Sequence, residues 1–421
     1  MAPQRILVVG AGYVGLTTAA CFARLGHWVI CADVDEAKVA AMSHGEVGLH
    51  ENGLPALVRD GLRVGRLGFV HGIPADLSDV DFIFLAVPTP SGAGGEADLS
   101  AVDDVLAQIE SARADCVVVI KSTVPVGTAT RVGQRLGRPV VTNPEFLREG
   151  HAVEDFLHPQ RVVVGSEDEE AARRVLSLYD GTGAPVVLTG STSAELVKYA
   201  SNCFLAMKLS YVNSMAELCE RVGADIGAVT EGMRLDERIG SAFLTPGPGW
   251  GGSCLPKDTE ALLSTSRSAE LDFPLLRATI DTNARQARRM ADKVKDVVGG
   301  TLAGARIGLL GLTFKAGTDD LRDSPAMAVA EVLAAEGAHL TAYDPCVPPG
   351  SGPVHTVATP TLAARDADAI VVLTEWPEFA ELDWAELAGE VSRPVVVDTR
   401  DVVPAEKARS AGFRLVAIGR P

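Results

Sequence analysis

The sequence predicts an α/β protein with two Rossmann-like, doubly wound domains joined by a long central helix, and an all-helical middle domain. Three observations lead there. Short apolar runs bounded by turn residues alternate with helical patterns up to about residue 150, and again from about residue 305. The first run opens into Gly10-Ala11-Gly12-Tyr13-Val14-Gly15. Between the two α/β stretches, Ser191 to Val222 contains neither Pro nor Gly and keeps a helical apolar period.

In chain order, Arg5-Ile6-Leu7-Val8-Val9 reads as a buried parallel strand. A helical pattern then runs to about Leu25, and a second strand, Trp28 to Ala32, ends at Asp33. Strand, glycine turn, helix, strand and acid together form one dinucleotide-binding half. The glycines permit a tight turn and close approach of a pyrophosphate, and the helix N terminus favours its charge. Asp33 suits the adenosine ribose hydroxyls and would repel a 2′-phosphate, so NAD is expected rather than NADP. The plain alternative is a glycine-rich turn that binds nothing. Later strands ending near Val87, Ile120 and Val141 deliver Thr89, Thr123, Glu145 and Glu149 at their carboxyl ends, where ligands bind in open α/β sheets. Taken singly, each also fits a cap or a turn.

The Ser191 to Val222 helix spans about 45 Å at about 1.5 Å per residue. That is longer than one domain needs, so it is expected to connect domains and to pack on a partner subunit. Lys198 and Asn202 lie four residues apart on one face. They are either the helix's solvated edge or an ammonium and an amide aimed together at a developing oxyanion. Beyond Arg238 and the run Thr245-Pro246-Gly247-Pro248 comes Gly249-Trp250-Gly251-Gly252-Ser253-Cys254-Leu255-Pro256-Lys257-Asp258. A segment this rich in Gly and Pro is expected to form neither a regular helix nor a central strand, and it holds a thiol near a cation. Alone, it is also consistent with a surface turn carrying an incidental cysteine.

The second α/β stretch has no GxGxxG, so a second dinucleotide is not expected. Lys315 and Arg400 stand at its strand ends, as phosphate-holding cations or as ordinary surface residues. A net charge of −17 argues against nucleic acid or an anionic membrane surface as partner. Seven scattered cysteines without a CxxC pair suit reduced thiols better than a disulfide framework or a zinc site, so no metal is expected. With no apolar stretch of spanning length, the expected location is the cytoplasm.

Eight motifs carry a resemblance over nearly the full length. They are GAGYVG at 10–15, VPTP at 87–90, KSTVPVGT at 121–128, NPEFLREG at 143–150, AELVKYASNCFLAMKLSYVNS at 194–214, ERIGSAFLTPGPGWGGSCLPKD at 237–258, FKAGTDDLRDSP at 314–325 and YDP at 343–345. In this order the chain resembles the UDP-glucose/GDP-mannose dehydrogenase family. The resemblance implies an NAD-binding domain over 1–189, a helical domain with a dimerisation helix and the cysteine loop over 190–298, and a nucleotide-sugar domain over 299–421. It implies a homodimer and a four-electron oxidation of a sugar C6 alcohol. UDP-glucose is the expected substrate, since FLTPGPG is more similar to that branch than to the GDP-mannose branch. TDP-glucose, GDP-mannose or a UDP-N-acetylhexosamine is the alternative.

The same resemblance implies roles. Cys254 is the nucleophile, passing through a thiohemiacetal and a thioester. Lys198 and Asn202 steady the C6 oxygen, Asp258 manages the proton with a water, Glu145 assists hydrolysis and Thr123 positions a water. NAD falls to Gly10, Gly12, Tyr13, Val14, Gly15, Asp33, Lys38, Thr89, Thr123, Glu149, Lys257 and Arg322. The sugar nucleotide falls to Glu145, Phe146, Leu147, Arg148, Glu149, Lys198, Asn202, Phe243, Leu244, Thr245, Pro246, Gly247, Gly251, Lys315 and Arg400, with Arg238 contributed across the dimer. Two departures stand out: Gly48 and Asn52 occupy positions where the family often has proline, and Thr245 stands where bacterial relatives often carry Asn. A two-electron hydroxy-acid dehydrogenase would share the first half but would not need Cys254.

Overall fold

The computed structural model describes residues 2–92, 94–110 and 115–421. The chain divides into two compact units, one of Met1–Ser201 with Glu260–Leu271, the other of Asn202–Thr259 with Asp272–Pro421.

The first unit holds eight strands, β1 (Arg5–Val9), β2 (Trp28–Asp33), β3 (Leu67–His71), β4 (Phe82–Leu85), β5 (Val117–Ile120), β6 (Val140–Thr142), β7 (Val162–Gly165) and β8 (Val186–Thr189). Their order is β3-β2-β1-β4-β5-β6-β7-β8, parallel throughout except where β7 meets β6. The winding reverses between β1 and β4, which opens a crevice at the carboxyl ends of those strands. Both faces of the sheet are covered, so β4 and β5 are buried at every position and read as unbroken apolar runs. Phe22 anchors one face, with its ring 5.1 Å from those of Phe84 and Phe156 and 5.2 Å from that of Tyr179.

The second unit repeats the plan with six parallel strands, β9 (Arg306–Leu310), β10 (His339–Tyr343), β11 (His355–Thr356), β12 (Ala369–Val372), β13 (Val395–Asp398) and β14 (Arg414–Ala417), ordered β11-β10-β9-β12-β13-β14. Between β8 and β9 come the helices Ser191–Val222, Ile226–Arg234, Leu255–Ser268 and Pro274–Val298, and no strand. The long helix has the bounds its sequence pattern predicts. Among the described residues no helix is long and apolar enough to cross a membrane.

The apolar runs of the sequence mark strands at 5–9, 28–32, 81–87, 116–120, 140–141, 305–311, 339–343, 369–373 and 395–397, and five strands lie outside them: β3, β7, β8, β11 and β14. Four of them are sheet edges, where burial is incomplete and the apolar run is diluted or short. In β8 the apolar residues Val186, Val187 and Leu188 are exposed.

Candidate active site

In the first unit the glycine turn sits at the reversal of the winding. Gly10 has φ +98°, and a Cβ there would lie 2.6 Å from the Ala86 carbonyl oxygen. A Cβ on Gly15 would lie 1.8 Å from the Gly10 carbonyl oxygen. Both positions therefore exclude a side chain. Gly12 caps the Tyr13–Arg24 helix without any side-chain hydrogen bond, and its Cβ direction is open to beyond 4 Å. The helix N terminus thus has open space beside Gly12 and no side-chain cap, an arrangement suited to a bound pyrophosphate.

At the end of β2, Asp33 accepts from the Ala11 amide at 2.7 Å, the Asp35 amide at 3.0 Å and Lys38 Nζ at 3.4 Å. Burial pushes its carboxyl up, but those amides and Lys38 outweigh it and hold the group below its usual range. The carboxylate is anionic where an NAD ribose would offer hydroxyls. The residues present fit the dinucleotide.

Tyr13 opens the first helix, with Val14 beside it. Its hydroxyl bonds Glu51, whose carboxylate also accepts from the Gly150 amide at 2.6 Å and the Ala152 amide at 2.9 Å. Asn52 Nδ2 donates to the Gly150 carbonyl at 3.1 Å. Asn52 stands where proline would stiffen the loop, and it supplies a hydrogen bond instead. Neither Glu51 nor Asn52 was singled out as a site residue by the sequence, because each acts only through loops distant along the chain.

The strand ends gather the next group. Thr89 Oγ1 donates to the Thr123 carbonyl at 2.7 Å. Glu145, past β6, is buried and accepts from Lys198 Nζ at 2.6 Å and from the Leu147 amide at 2.6 Å. Burial works to raise the Glu145 carboxyl, but Lys198, the Leu147 amide and Lys121 together hold it below its usual range. The Phe146 ring carries the Arg161 guanidinium 3.7 Å from its centroid. Arg148 is pinned to Asp155, with its Nη2 2.6 Å from Oδ1, next to the half-buried Glu149.

The second unit holds the cysteine loop. Against the expectation that 249–258 is non-helical throughout, Leu255, Pro256, Lys257 and Asp258 form the first turn of the Leu255–Ser268 helix, where a proline is tolerated because its missing amide has no partner to lose. Cys254 immediately precedes that helix, and its carbonyl accepts from the Asp258 amide at 3.0 Å. The first-turn amides of that helix point toward a negative charge at such a position. Asp258, fully buried, accepts from Asn202 Nδ2 at 2.6 Å and Lys257 Nζ at 2.5 Å. Of the seven cysteines five are buried, and burial beside Asp344 pushes the half-buried Cys346 thiol up. Cys254 is half-buried and lies 3.6 Å from Ser253 Oγ.

The loop is held on both sides by amides the sequence reading missed. Asn213 on the long helix accepts from the Gly247 amide at 2.8 Å, while Gln286 donates to the Gly247 carbonyl at 2.8 Å. Asn283 grips the Trp250 peptide in the same two-sided way, at 2.8 Å and 2.8 Å. A Cβ on Gly251 would lie 1.9 Å from the Asp323 carbonyl oxygen, and one on Gly252 would lie 2.7 Å from the Phe314 ring. A Cβ on Gly247 would come within 3.1 Å of Arg400 Nη1.

Arg400 in turn donates to the Leu373 carbonyl at 2.8 Å and the Phe314 carbonyl at 3.3 Å, and Lys315 Nζ lies 5.5 Å from the Phe314 ring centroid. Thus Gly247, Gly251, Lys315 and Arg400 converge on one region, with the buried Leu244 and Pro246 in the same segment. Phe243, at φ +60°, and Thr245, which accepts from Arg234 Nη2 at 3.0 Å, are exposed there. Arg238 and Arg322 stand apart, as exposed side chains in two-pronged pairs with Asp236 and Asp320.

Residues 4–182 match the NAD binding domain of the UDP-glucose/GDP-mannose dehydrogenase family, 192–285 its central domain and 308–405 its UDP binding domain. The chain is 43% identical to UDP-glucose 6-dehydrogenase of Rhizobium meliloti over 438 residues, covering 99% of this chain and 100% of the relative. Its structure is similar to that of a UDP-glucose dehydrogenase from the archaeon Pyrobaculum islandicum, with a TM-score of 0.91 and 36% identity over 100% of this chain and 98% of that one. A UDP-D-ManNAc dehydrogenase from Pyrococcus horikoshii matches with a TM-score of 0.89 and 28% identity over 99% of each chain.

Proposed function

The chain belongs to the UDP-glucose/GDP-mannose dehydrogenase family, and from that premise we propose that it oxidises the C6 alcohol of UDP-glucose to UDP-glucuronate in two steps. The observation that carries this is Cys254 at a helix N terminus, with the Asn202–Asp258 contact at 2.6 Å in the first turn of the same helix. NAD is the cofactor, and when bound it accepts one hydride in each step.

The side chains divide the remaining work. Lys198 and Asn202 donate to the C6 oxygen as charge develops on it, while Asp258 takes the alcohol proton through a water. Cys254 adds to the aldehyde carbon, and the resulting thiohemiacetal presents a second C–H while no free aldehyde leaves. Asp258 returns its proton through the water to the new hydroxyl and takes it again as loss of the second hydride gives a thioester. A water aligned by Thr123 attacks its carbonyl, Glu145 takes the water's proton, and Cys254 departs as thiolate with release of the acid. Lys315 and Arg400 hold the diphosphate, and the 243–247 segment covers the nucleoside.

The assignment divides the chain into an NAD domain over 1–189, a dimerisation and cysteine-loop domain over 190–298 and a nucleotide-sugar domain over 299–421, working in the cytoplasm. A homodimer is favoured by the long helix. Phe204, Tyr211 and Leu218 recur every seven residues along it and are 57%, 53% and 48% exposed, an apolar seam suited to a second copy of the helix. Arg238 then serves the partner's substrate.

NADH formation with limiting UDP-glucose, TDP-glucose, GDP-mannose and UDP-N-acetylglucosamine tests the proposal. Turnover with UDP-glucose and little with the others is expected. Turnover confined to another donor would reassign the substrate, and none with any of them would overturn the enzyme assignment.

A further inference from the structure

Two residues before Glu145 begins a buried polar cluster that the chemistry above leaves unused. Lys121, at the carboxyl end of β5, is 4% exposed and donates to Asn143 Oδ1 at 3.0 Å and to the Tyr179 hydroxyl oxygen at 3.2 Å. Tyr179 donates its own proton to the same Asn143 oxygen at 2.5 Å, and Asn143 Nδ2 donates to the Val163 carbonyl at 2.8 Å. The Phe156 and Tyr179 rings flank the ammonium, with centroids at 5.8 Å and 5.7 Å. Taking an ammonium out of water costs several kcal/mol. The charged groups acting on it are Glu145 past β6 and Lys198 on the long helix, so two cations share one carboxylate. β4 contributes only the Leu85 carbonyl, which accepts from the Lys121 amide. The first helix brings Cys21 toward Tyr179, and burial pushes both groups up, Cys21 to about 12, so both are neutral.

We propose that Lys121 is a positioning residue for Glu145: seated on Asn143, two residues before the carboxylate, it sets through its charge how strongly that carboxylate takes a proton. This rests on the proposed activity, in which Glu145 accepts a proton from the attacking water. Burial draws Lys121 down to about 7, with Glu145 opposing and Lys198 reinforcing the shift. Below that pH Glu145 faces two ammonium groups and is a weak base. Above it one of them has become neutral, and Glu145 is a stronger base. Thioester hydrolysis therefore speeds up as pH rises through neutrality.

Two readouts decide it. Infrared titration of the protonated-carboxyl band of Glu145, assigned by its loss in Glu145→Gln, needs no turnover. In Lys121→Met that band titrates at higher pH than in the wild type, and an unmoved band overturns the proposal. Rapid-quench mass spectrometry of the Cys254 peptide follows hydrolysis. The wild type clears the acyl adduct several-fold faster above neutral pH than below, and Lys121→Met clears it at the fast rate throughout. A uniformly slower variant with the wild-type pH dependence would mean a scaffold role alone and would also overturn it. Should Lys121→Met fail to fold, Tyr179→Phe removes one acceptor from the ammonium and moves the wild-type step to lower pH, and an unmoved step counts against the proposal. A wild type that forms neither adduct nor NADH would sink the dehydrogenase assignment, while the infrared titration would still decide the role of Lys121.

Discussion

Lys198 grips Glu145 at two atoms, the carboxylate Oε1 at 2.6 Å and the backbone carbonyl at 2.9 Å, with the two side chains 5% and 6% exposed. Removing one member of so buried a pair strands the other's charge, at a cost of about 3–5 kcal/mol. Lys198→Met is therefore expected to lower the denaturation midpoint sharply, and the double variant with Glu145→Gln to recover much of the loss. Equal destabilisation of the single and double variants in urea would show that the pair is not coupled.

The same pair predicts an acid dependence. The folded Glu145 carboxyl titrates below its ordinary 4.5, so its contribution to stability is present above about pH 4.5 and is lost as pH falls through the folded value. Glu145→Gln should flatten that part of the stability profile, which denaturant melts across the acid range will read.

Lys121 has the opposite history. Its folded value is drawn from 10.5 down to about 7, so between those pH values the unfolded chain binds a proton that the folded one does not. Wild-type stability should rise with pH across that window, and Lys121→Met should remove this part of the rise. Chemical denaturation at pH 7 and pH 9.5 makes the comparison, with identical slopes for the two proteins as the contrary outcome.

Gly251 and Gly252 admit no side chain. Gly251→Ala forces a Cβ against the Asp323 carbonyl backbone, and Gly252→Ala sets one on the Phe314 ring at φ +80°. Overpacking of this kind costs about 1–3 kcal/mol. Both variants should lose turnover through displacement of Cys254 while keeping NAD affinity. Partial rescue of Gly252→Ala by Phe314→Leu, with none for Gly251→Ala, separates a side-chain clash from a backbone one.

Asp33 predicts cofactor choice. Asp33→Ser removes the carboxylate that would repel a 2′-phosphate, so NAD affinity should fall and NADP affinity should rise, as read by dinucleotide fluorescence. Unchanged NADP affinity would mean that another group, with Lys38 the first suspect, decides the preference.

Much of this architecture was legible in the chain because it rests on local signals. The β1–glycine turn–helix–β2 unit and the bounds of the long helix follow from apolar period and from Gly and Pro content, as does the irregular stretch before Cys254, whereas the helix that starts at Leu255 was hidden by Pro256. The edge strands β3, β8, β11 and β14 were not, since an edge needs no continuous apolar run. The polar supports were also hidden. Asn213, Gln286 and Asn283 matter because the fold brings them to Gly247 and Trp250, and Lys121, Asn143 and Tyr179 because they meet inside the first unit. Their partners lie tens of residues away in the sequence, and no spacing rule links them.

The most direct measurement is the number of NADH molecules formed per UDP-glucose when the sugar nucleotide is limiting, for the wild type and for Cys254→Ser. Covalent catalysis at Cys254 predicts two NADH and UDP-glucuronate from the wild type, and from the variant retained binding of both ligands without steady turnover. One NADH with free aldehyde in solution, or undiminished turnover by Cys254→Ser, would contradict it.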